Sequence, residues 1–379
     1  MGEVVTEDKI NEAEQNTIEE FGYNYFNRKG WEYILNEHGG KLPIRIKAVP
    51  EGMIVPSRNV LVTVENTDPE CYWLTNYLET ELLSACWCGT TVATEDHRRR
   101  ELIDTYAQKS GTRVTPFHIH DFGFRGVSSL QSAGIAGSAH LVNFMGSDTR
   151  IARRYAKAFY NANPETLSAT VRAAEHSTVT MYGRDKEEEV YKRIISSTPP
   201  DKIISIVSDS YNHWNAIENY FGGSLKELIL SRPGKVVVRP DSGNPVEVSD
   251  KSLDILDKKF GTVTNDLGYK TLDPHIGLIY GDRVNYNSIK EILDRVVIRK
   301  KFTTDNIIFG MGKELLQAVN RDIYKFAFKA SAGCINGEWR DIFKNPITDT
   351  TKVSKKGRLK LIAEDGKYKT VTIDEPELS

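Results

Sequence analysis

Three short segments gather most of the side chains capable of chemistry. The first is His120-Asp121-Phe122-Gly123-Phe124-Arg125-Gly126, running into Ser128-Ser129 and a small-residue stretch, Ser132–Ala139. The second is Ala173-Ala174-Glu175-His176-Ser177-Thr178, and the third is the β-branched run Val236–Asn244, which delivers Arg239 and Asp241 into a turn with Gly243 and Pro245. Arginine beside aspartate at the end of a strand can grip a phosphate while the acid holds a ribose hydroxyl or Mg²⁺. Further on, Gly281-Asp282 and the Phe309–Gly312 turn offer close backbone approach and helix N–H groups to a phosphate. Each motif alone is weak; together they point to a phosphorylated sugar held at one mouth of the fold. Taken singly, Phe122 can be a core aromatic, His176 a satisfied core histidine, and Asp148 and Asp209 helix caps.

The elements that must position these residues show a repeating rhythm from about residue 115. Short apolar runs end near Phe122, Phe144, Ala174, Val207, Val238, Tyr280 and Phe309, and most are followed by a helical stretch. Parallel strands joined by helices give this pattern, and an α/β barrel puts every strand end on one face, where barrel enzymes keep their sites. Upstream, Leu42–Val49 and Val60–Val64 read as strands, and Thr67-Asp68-Pro69-Glu70 reads as a capped helix start. The expected organisation is a smaller β-rich α+β domain over 1–110, the barrel over 111–325, and a return to the β-rich domain with a basic loop over 326–379.

Composition narrows the function classes. The 379 residues carry a net charge of −2, so no strong field favours nucleic acid or an acidic membrane surface. No apolar run approaches the ~18 residues a membrane span needs, and the acidic start lacks a secretory h-region. Gly2 and Thr6 fit a loose acylation pattern, but without a basic cluster a single chain anchors only marginally. Four cysteines in so long a chain do not make a disulfide framework. A cytoplasmic protein is expected.

The order of motifs resembles that of nicotinamide phosphoribosyltransferases throughout: HDFGFRG, SAHLVNFMGSD, AAEHST, SIVSDSY, VVRPDSGNP, GD, FGMG, RD, FK and SKKGRL, with KAVPEG and NVLVTVENTDPECYWLTNYLET upstream. The resemblance implies a type II phosphoribosyltransferase barrel with a β-rich second domain. It implies a homodimer with the site at the interface, and transfer of phosphoribosyl from 5-phosphoribosyl diphosphate to nicotinamide in NAD salvage, with Mg²⁺ on the substrate diphosphate. By position, Phe122 would stack on the nicotinamide ring and Asp148 accept from its carboxamide. Arg125 and Arg239 would hold the diphosphate; Arg239, Asp241, Gly281, Asp282 and Arg321 the ribose phosphate. Gly312, Lys329, Lys344 and Lys352 match residues near the phosphates. His176 matches the histidine that takes a phosphoryl group from ATP, with Asp209 orienting it. No metal-ligating side chains are expected.

Two departures from the family pattern stand out. The resemblance leads us to expect a further N-terminal segment of several dozen residues and a last helical segment that this chain does not carry. Lys313-Glu314 also follow Gly312, where family members keep small residues. They leave open a non-catalytic truncated paralogue that dimerises or binds ligand. A third reading, a metal-dependent barrel hydrolase, rests on His118-Ile119-His120 with His140, His176 and Asp241.

Overall fold

A computed structural model describes residues 2–165, 167–348 and 353–373. The chain divides into two compact units, Met1–Cys86 with Tyr324–Ser379, and Trp87–Ile323. The first unit holds helices Glu7–Phe21 and Arg28–His38, each closed by a left-handed glycine (Gly22, φ 73°; Gly39, φ 56°). It also holds three antiparallel pairs: Ile44–Ala48 with Val62–Asn66, Ala332–Ile335 with Glu338–Asp341, and Leu359–Glu364 with Lys367–Thr372. The capped start at Asp68 forms as a single 3-10 turn, Pro69–Cys71, followed by helix Leu74–Tyr77. The helix after it, Glu79–Lys109, runs past the unit boundary at Cys86 and ends at the residue before the expected domain boundary.

The second unit is built on seven parallel strands: β1 (Ile119–Asp121), β2 (Gly146–Ser147), β3 (Arg172–Ala174), β4 (Ile204–Val207), β5 (Val236–Arg239), β6 (Ile276–Tyr280) and β7 (Ile307–Met311). Their order is β2-β1-β7-β6-β5-β4-β3. The two edges meet: Gly146 bridges Ala169 in parallel, with Ser147 N–H donating to Ala169 O at 3.2 Å and Ala169 N–H to Met145 O at 2.8 Å. The sheet therefore closes into an α/β barrel.

Strands β4, β5 and β6 are buried along their whole length. Helices cover the outside of a parallel sheet and side chains fill the inside, so such strands read as unbroken apolar runs. Register keeps the strand ends level: Asp121 sits opposite Ser147 and Met311, and Val207 opposite Arg239. Helix Leu130–His140 packs on helix Arg150–Tyr160 through its glycines; a Cβ on Gly137 would lie 2.6 Å from the Ala152 Cβ. One expected strand end moves. Phe144 lies in the turn after helix Leu130–His140, its N–H bonded to His140 O, and the strand forms two residues later. Among the described residues, no helix is long and apolar enough to cross a membrane.

Candidate active site

All seven strands end at one mouth, and the residues that follow them form three linked groups. The first surrounds Asp148, just after β2. Its Oδ1 accepts from His120 Nε2 at 3.1 Å and from the Thr170 hydroxyl. Thr170 reaches it because the bridge at Ala169 closes the barrel one residue earlier. Burial pushes the Asp148 carboxyl up, but His120, Thr170 and the charge of Arg239 outweigh it and hold the group below its usual range. An ionised Asp148 fixes the proton of His120 on Nε2, and both side-chain bonds fall on Oδ1, so Oδ2 is left to a ligand.

Phe122 forms the second wall. Its N–H is bonded to Met311 O, and its ring lies 4.9 Å from that of His120. The ring rests where β7 carries Gly310: a Cβ there would stand 2.3 Å from a Phe122 ring carbon. Between Phe122, Asp148 and Thr170 a cleft with apolar lining from Val171, Ala173 and Ile279 runs into the barrel. Asp121 holds the turn from beneath, accepting from Gly123 N–H at 2.7 Å and Ser147 Oγ at 2.9 Å.

Charge gathers in the third group. Arg239, at the end of β5, is only 5% exposed, yet its ion-pair partner is Glu175 at 3.5 Å and its Nε has no hydrogen-bond partner. The guanidinium lies 5.5 Å from the Phe122 ring centroid. Glu175 also approaches Arg125 at 3.7 Å, so one carboxylate sits between two guanidinium groups. His176 Nε2 lies 2.9 Å from Asp209 Oδ1, while Asp209 Oδ2 accepts from Asp241 N–H at 3.1 Å and Ser242 Oγ at 2.5 Å. Burial works against ionised Asp209, but the bonds from Ser242, His176 and Asp241 win and hold it low. Asp241 goes the other way. Burial raises its carboxyl; Arg239 and His176 oppose that, Asp209 and Asp282 add to it, and the result is upward. A Cβ on Gly281 would lie 2.7 Å from Asp241 Oδ1, so a side chain there would turn the Asp241 carboxylate aside.

The structure thus brings together Phe122, Arg125, Asp148, His176, Asp209, Arg239, Asp241, Gly281 and Asp282. Gly312 caps the short helix Lys313–Leu316, and Lys313 takes ordinary helical backbone there. Arg321 pairs with its neighbour Asp322 at 2.9 Å. Lys329 pairs with Glu79 and Lys344 N–H bonds Ser354, both within the other unit. Lys352 lies outside the described residues. Sequence reading assigned no role to Thr170, Glu175 or Ser242. Glu175 and Ser242 sat inside quoted motifs, whereas nothing in the sequence pointed to Thr170. The histidines of the hydrolase reading face different partners: His118 faces Thr115, His120 Asp148, His140 Asp96 and His176 Asp209.

Comparison with known proteins gives the family and the fold. Residues 117–373 match the model of the nicotinate phosphoribosyltransferase family, and residues 1–46 match that of the nicotinamide phosphoribosyltransferase N-terminal domain. The chain is 44% identical over 356 residues to a nicotinamide phosphoribosyltransferase of Xanthomonas campestris, covering 92% of this chain and 75% of that protein. Proteins of the same name from Acinetobacter baylyi and Mycoplasma pneumoniae are 37% and 36% identical, over 85% and 86% of this chain and 68% and 72% of theirs. In fold, the chain is similar to the nicotinate-nucleotide pyrophosphorylase of Pyrococcus furiosus, with a TM-score of 0.55 at 16% identity over 88% of this chain and 70% of that one. The fold is that of a phosphoribosyltransferase α/β barrel with a smaller β-containing unit, and the chain belongs to the nicotinate phosphoribosyltransferase family.

Proposed function

We propose that the protein transfers phosphoribosyl from 5-phosphoribosyl diphosphate to nicotinamide, giving nicotinamide mononucleotide and diphosphate. The observation that carries this reading is Arg239, a buried cation whose ion pair is a 3.5 Å contact with Glu175 and whose Nε has no hydrogen-bond partner. A buried charge is costly until it is paired and hydrogen-bonded, and a diphosphate supplies what Glu175 alone does not. Nicotinamide would lie in the cleft against Phe122 with its carboxamide N–H on Asp148 Oδ2. A carboxylate there attracts an amide and repels nicotinic acid.

In the reaction, the bond from ribose C1 to the diphosphate oxygen loosens and positive charge develops on the sugar. The pyridine nitrogen then donates its pair to C1, and diphosphate leaves with the electrons of the broken bond. Little covalent chemistry falls to the protein. Its contribution is to hold ring and sugar in line and to stabilise the leaving group through Arg125 and Arg239. Asp241 and Asp282 fit a Mg²⁺ ion carried by the diphosphate: they are hard oxygen donors, and the upward push on Asp241 from Asp209 and Asp282 is one a cation relieves. When bound, the ion neutralises charge on the leaving diphosphate.

The His176–Asp209 pair supports ATP coupling. With Asp209 ionised and accepting from Nε2–H, the lone pair stays on His176 Nδ1, which would attack the γ-phosphorus of ATP and release ADP. For Gly312, Arg321, Lys329, Lys344 and Lys352, the family resemblance is the support for a part in phosphate binding. The same resemblance supports a cytoplasmic homodimer with the site at its interface, which light scattering would test.

The test is product formation from nicotinamide, 5-phosphoribosyl diphosphate and Mg²⁺, with and without ATP. We expect nicotinamide mononucleotide in both reactions and more of it with ATP, the gain disappearing in His176→Ala. A folded protein that makes none overturns the reading in favour of a non-catalytic ligand-binding protein.

A further inference from the structure

We propose that His38, Asp68 and Cys71 form a binding site for a zinc-class divalent cation in the smaller unit, independent of the transferase reading. One ligand atom from each lies within 4.8 Å of the other two. Nothing in the barrel chemistry uses these residues, and they come from two separate elements.

Local structure explains the convergence. Asp68 caps the 3-10 turn Pro69–Cys71, its Oδ1 accepting from Glu70 N–H at 2.9 Å, while Cys71 N–H bonds Asp68 O at 3.1 Å. The turn thus holds the cap residue and Cys71 one tight turn apart, with a carboxylate oxygen and the thiol sulfur within 4.8 Å of each other. His38 is the last residue of helix Arg28–His38, stopped there by left-handed Gly39. Its Nε2 lies 2.8 Å from Asp68 Oδ2, and that oxygen also accepts from Tyr33 OH at 3.0 Å. Asp68 thus gives one oxygen to the cap and turns the other toward the histidine, with Tyr33 fixing its orientation as outer partners of metal ligands do.

Thiolate, imidazole and carboxylate are the donor set of tetrahedral zinc, with water as the fourth ligand. The thiolate selects against Mg²⁺ and Ca²⁺, which take oxygen ligands. Bond lengths of about 2.0 to 2.3 Å put tetrahedral ligand atoms roughly 3.3–3.8 Å apart, so closing on an ion needs side-chain rotation of about an ångström. The ion would replace the thiol proton, which passes to solvent. His38 is partly exposed and Cys71 is buried, so entry is from the imidazole side. The fully buried part of the core around Cys71 is small, Val5, Ile10, Ile34 and Leu74, with partly buried residues such as Trp31 and Trp73 packed against it. A core of this size gains from a staple, and this one would tie the helix carrying Ile34 to the turn carrying Cys71.

The experiment titrates Co²⁺ into the reduced, chelator-treated full chain and follows the thiolate-to-cobalt charge-transfer band. We expect one equivalent to bind with that band, Zn²⁺ to displace it, and excess Mg²⁺ to leave it unchanged. Cys71→Ala should abolish the band, and His38→Gln, which keeps the buried thiol, should weaken Co²⁺ binding at least about tenfold. Absence of a band, displacement by Mg²⁺, or a band undiminished in both variants overturns the proposal; the last result would assign it to Cys86, Cys88 or Cys334. If Cys71→Ala does not fold, His38→Gln alone decides, and unchanged affinity there refutes the site.

Discussion

Replacing Asp148 with asparagine changes charge at one ligand atom while leaving its supports in place. The asparagine Oδ1 can still accept from His120 and Thr170, which both bond Oδ1 now. Those two donors orient the amide, so Nδ2 points where Oδ2 faces nicotinamide. Losing a charge-assisted hydrogen bond costs about 1.5–3 kcal/mol, roughly ten- to a hundredfold in kcat/KM for nicotinamide. For nicotinic acid the sign reverses. Two carboxylates ~4 Å apart repel by about 4 kcal/mol at an effective dielectric constant of ~20. Because the Asp148 side chain is 42% exposed, solvent screening cuts this to about 2 kcal/mol. The two effects together lower the preference for nicotinamide by about a hundredfold or more. The assay is kcat/KM for each substrate with wild type and Asp148→Asn. A folded variant with an unchanged ratio refutes the charge-based explanation.

Three further outcomes follow from the geometry. Arg239→Ala should lose about 3 kcal/mol of transition-state stabilisation, at least a hundredfold in turnover, with a melting temperature near that of wild type; near-normal turnover would sink its assignment. Gly310→Ala must displace the Phe122 ring, since the new methyl would lie 2.3 Å from it. It should raise KM for nicotinamide, with a stability loss of about 1–3 kcal/mol in urea unfolding; an unchanged KM would separate Phe122 from the substrate. His213 is buried between Ser208 and Ser252, and burial pushes its pKa down to about 4. Unfolded, it takes up a proton near pH 6.5, so from pH 6.5 down to 4 the unfolded state binds the extra proton and stability falls, by up to about 3 kcal/mol. The depressed carboxyls of Asp148 and Asp209 contribute only below their ordinary range near pH 3.8. Urea midpoints at pH 7.5 and 4.5 should therefore differ more in wild type than in His213→Gln; an equal difference in the two proteins would refute the assignment.

The barrel and its mouth were legible in the sequence because both are local properties. A strand buried on both faces must be a short apolar run, and the first polar residues after it must lie where the strand ends, so Asp209, Arg239 and Asp282 fell at the mouth from pattern alone. Motif order supplied the substrates, since long local motifs survive without knowledge of the contacts between them. The strand at Gly146–Ser147 forms two residues beyond Phe144, because that apolar residue belongs to the preceding helix turn, and Asp148 still follows the strand directly.

Only the tertiary structure decided which partners each group has. Thr170 reaches Asp148 through barrel closure at Ala169, a contact between chain segments that no spacing encodes. Glu175 bridges Arg125 and Arg239 from three different strand ends, and Asp209 also accepts from Asp241 N–H and Ser242 Oγ. His38 meets Cys71 across 33 residues of chain. Hydrogen bonds and charge pairs act over a few ångströms, so the state of each ionisable group depends on neighbours distant in the chain. The sequence by itself determined which residues stand at the mouth; folding determined which of them are ionised, paired or left open to a ligand.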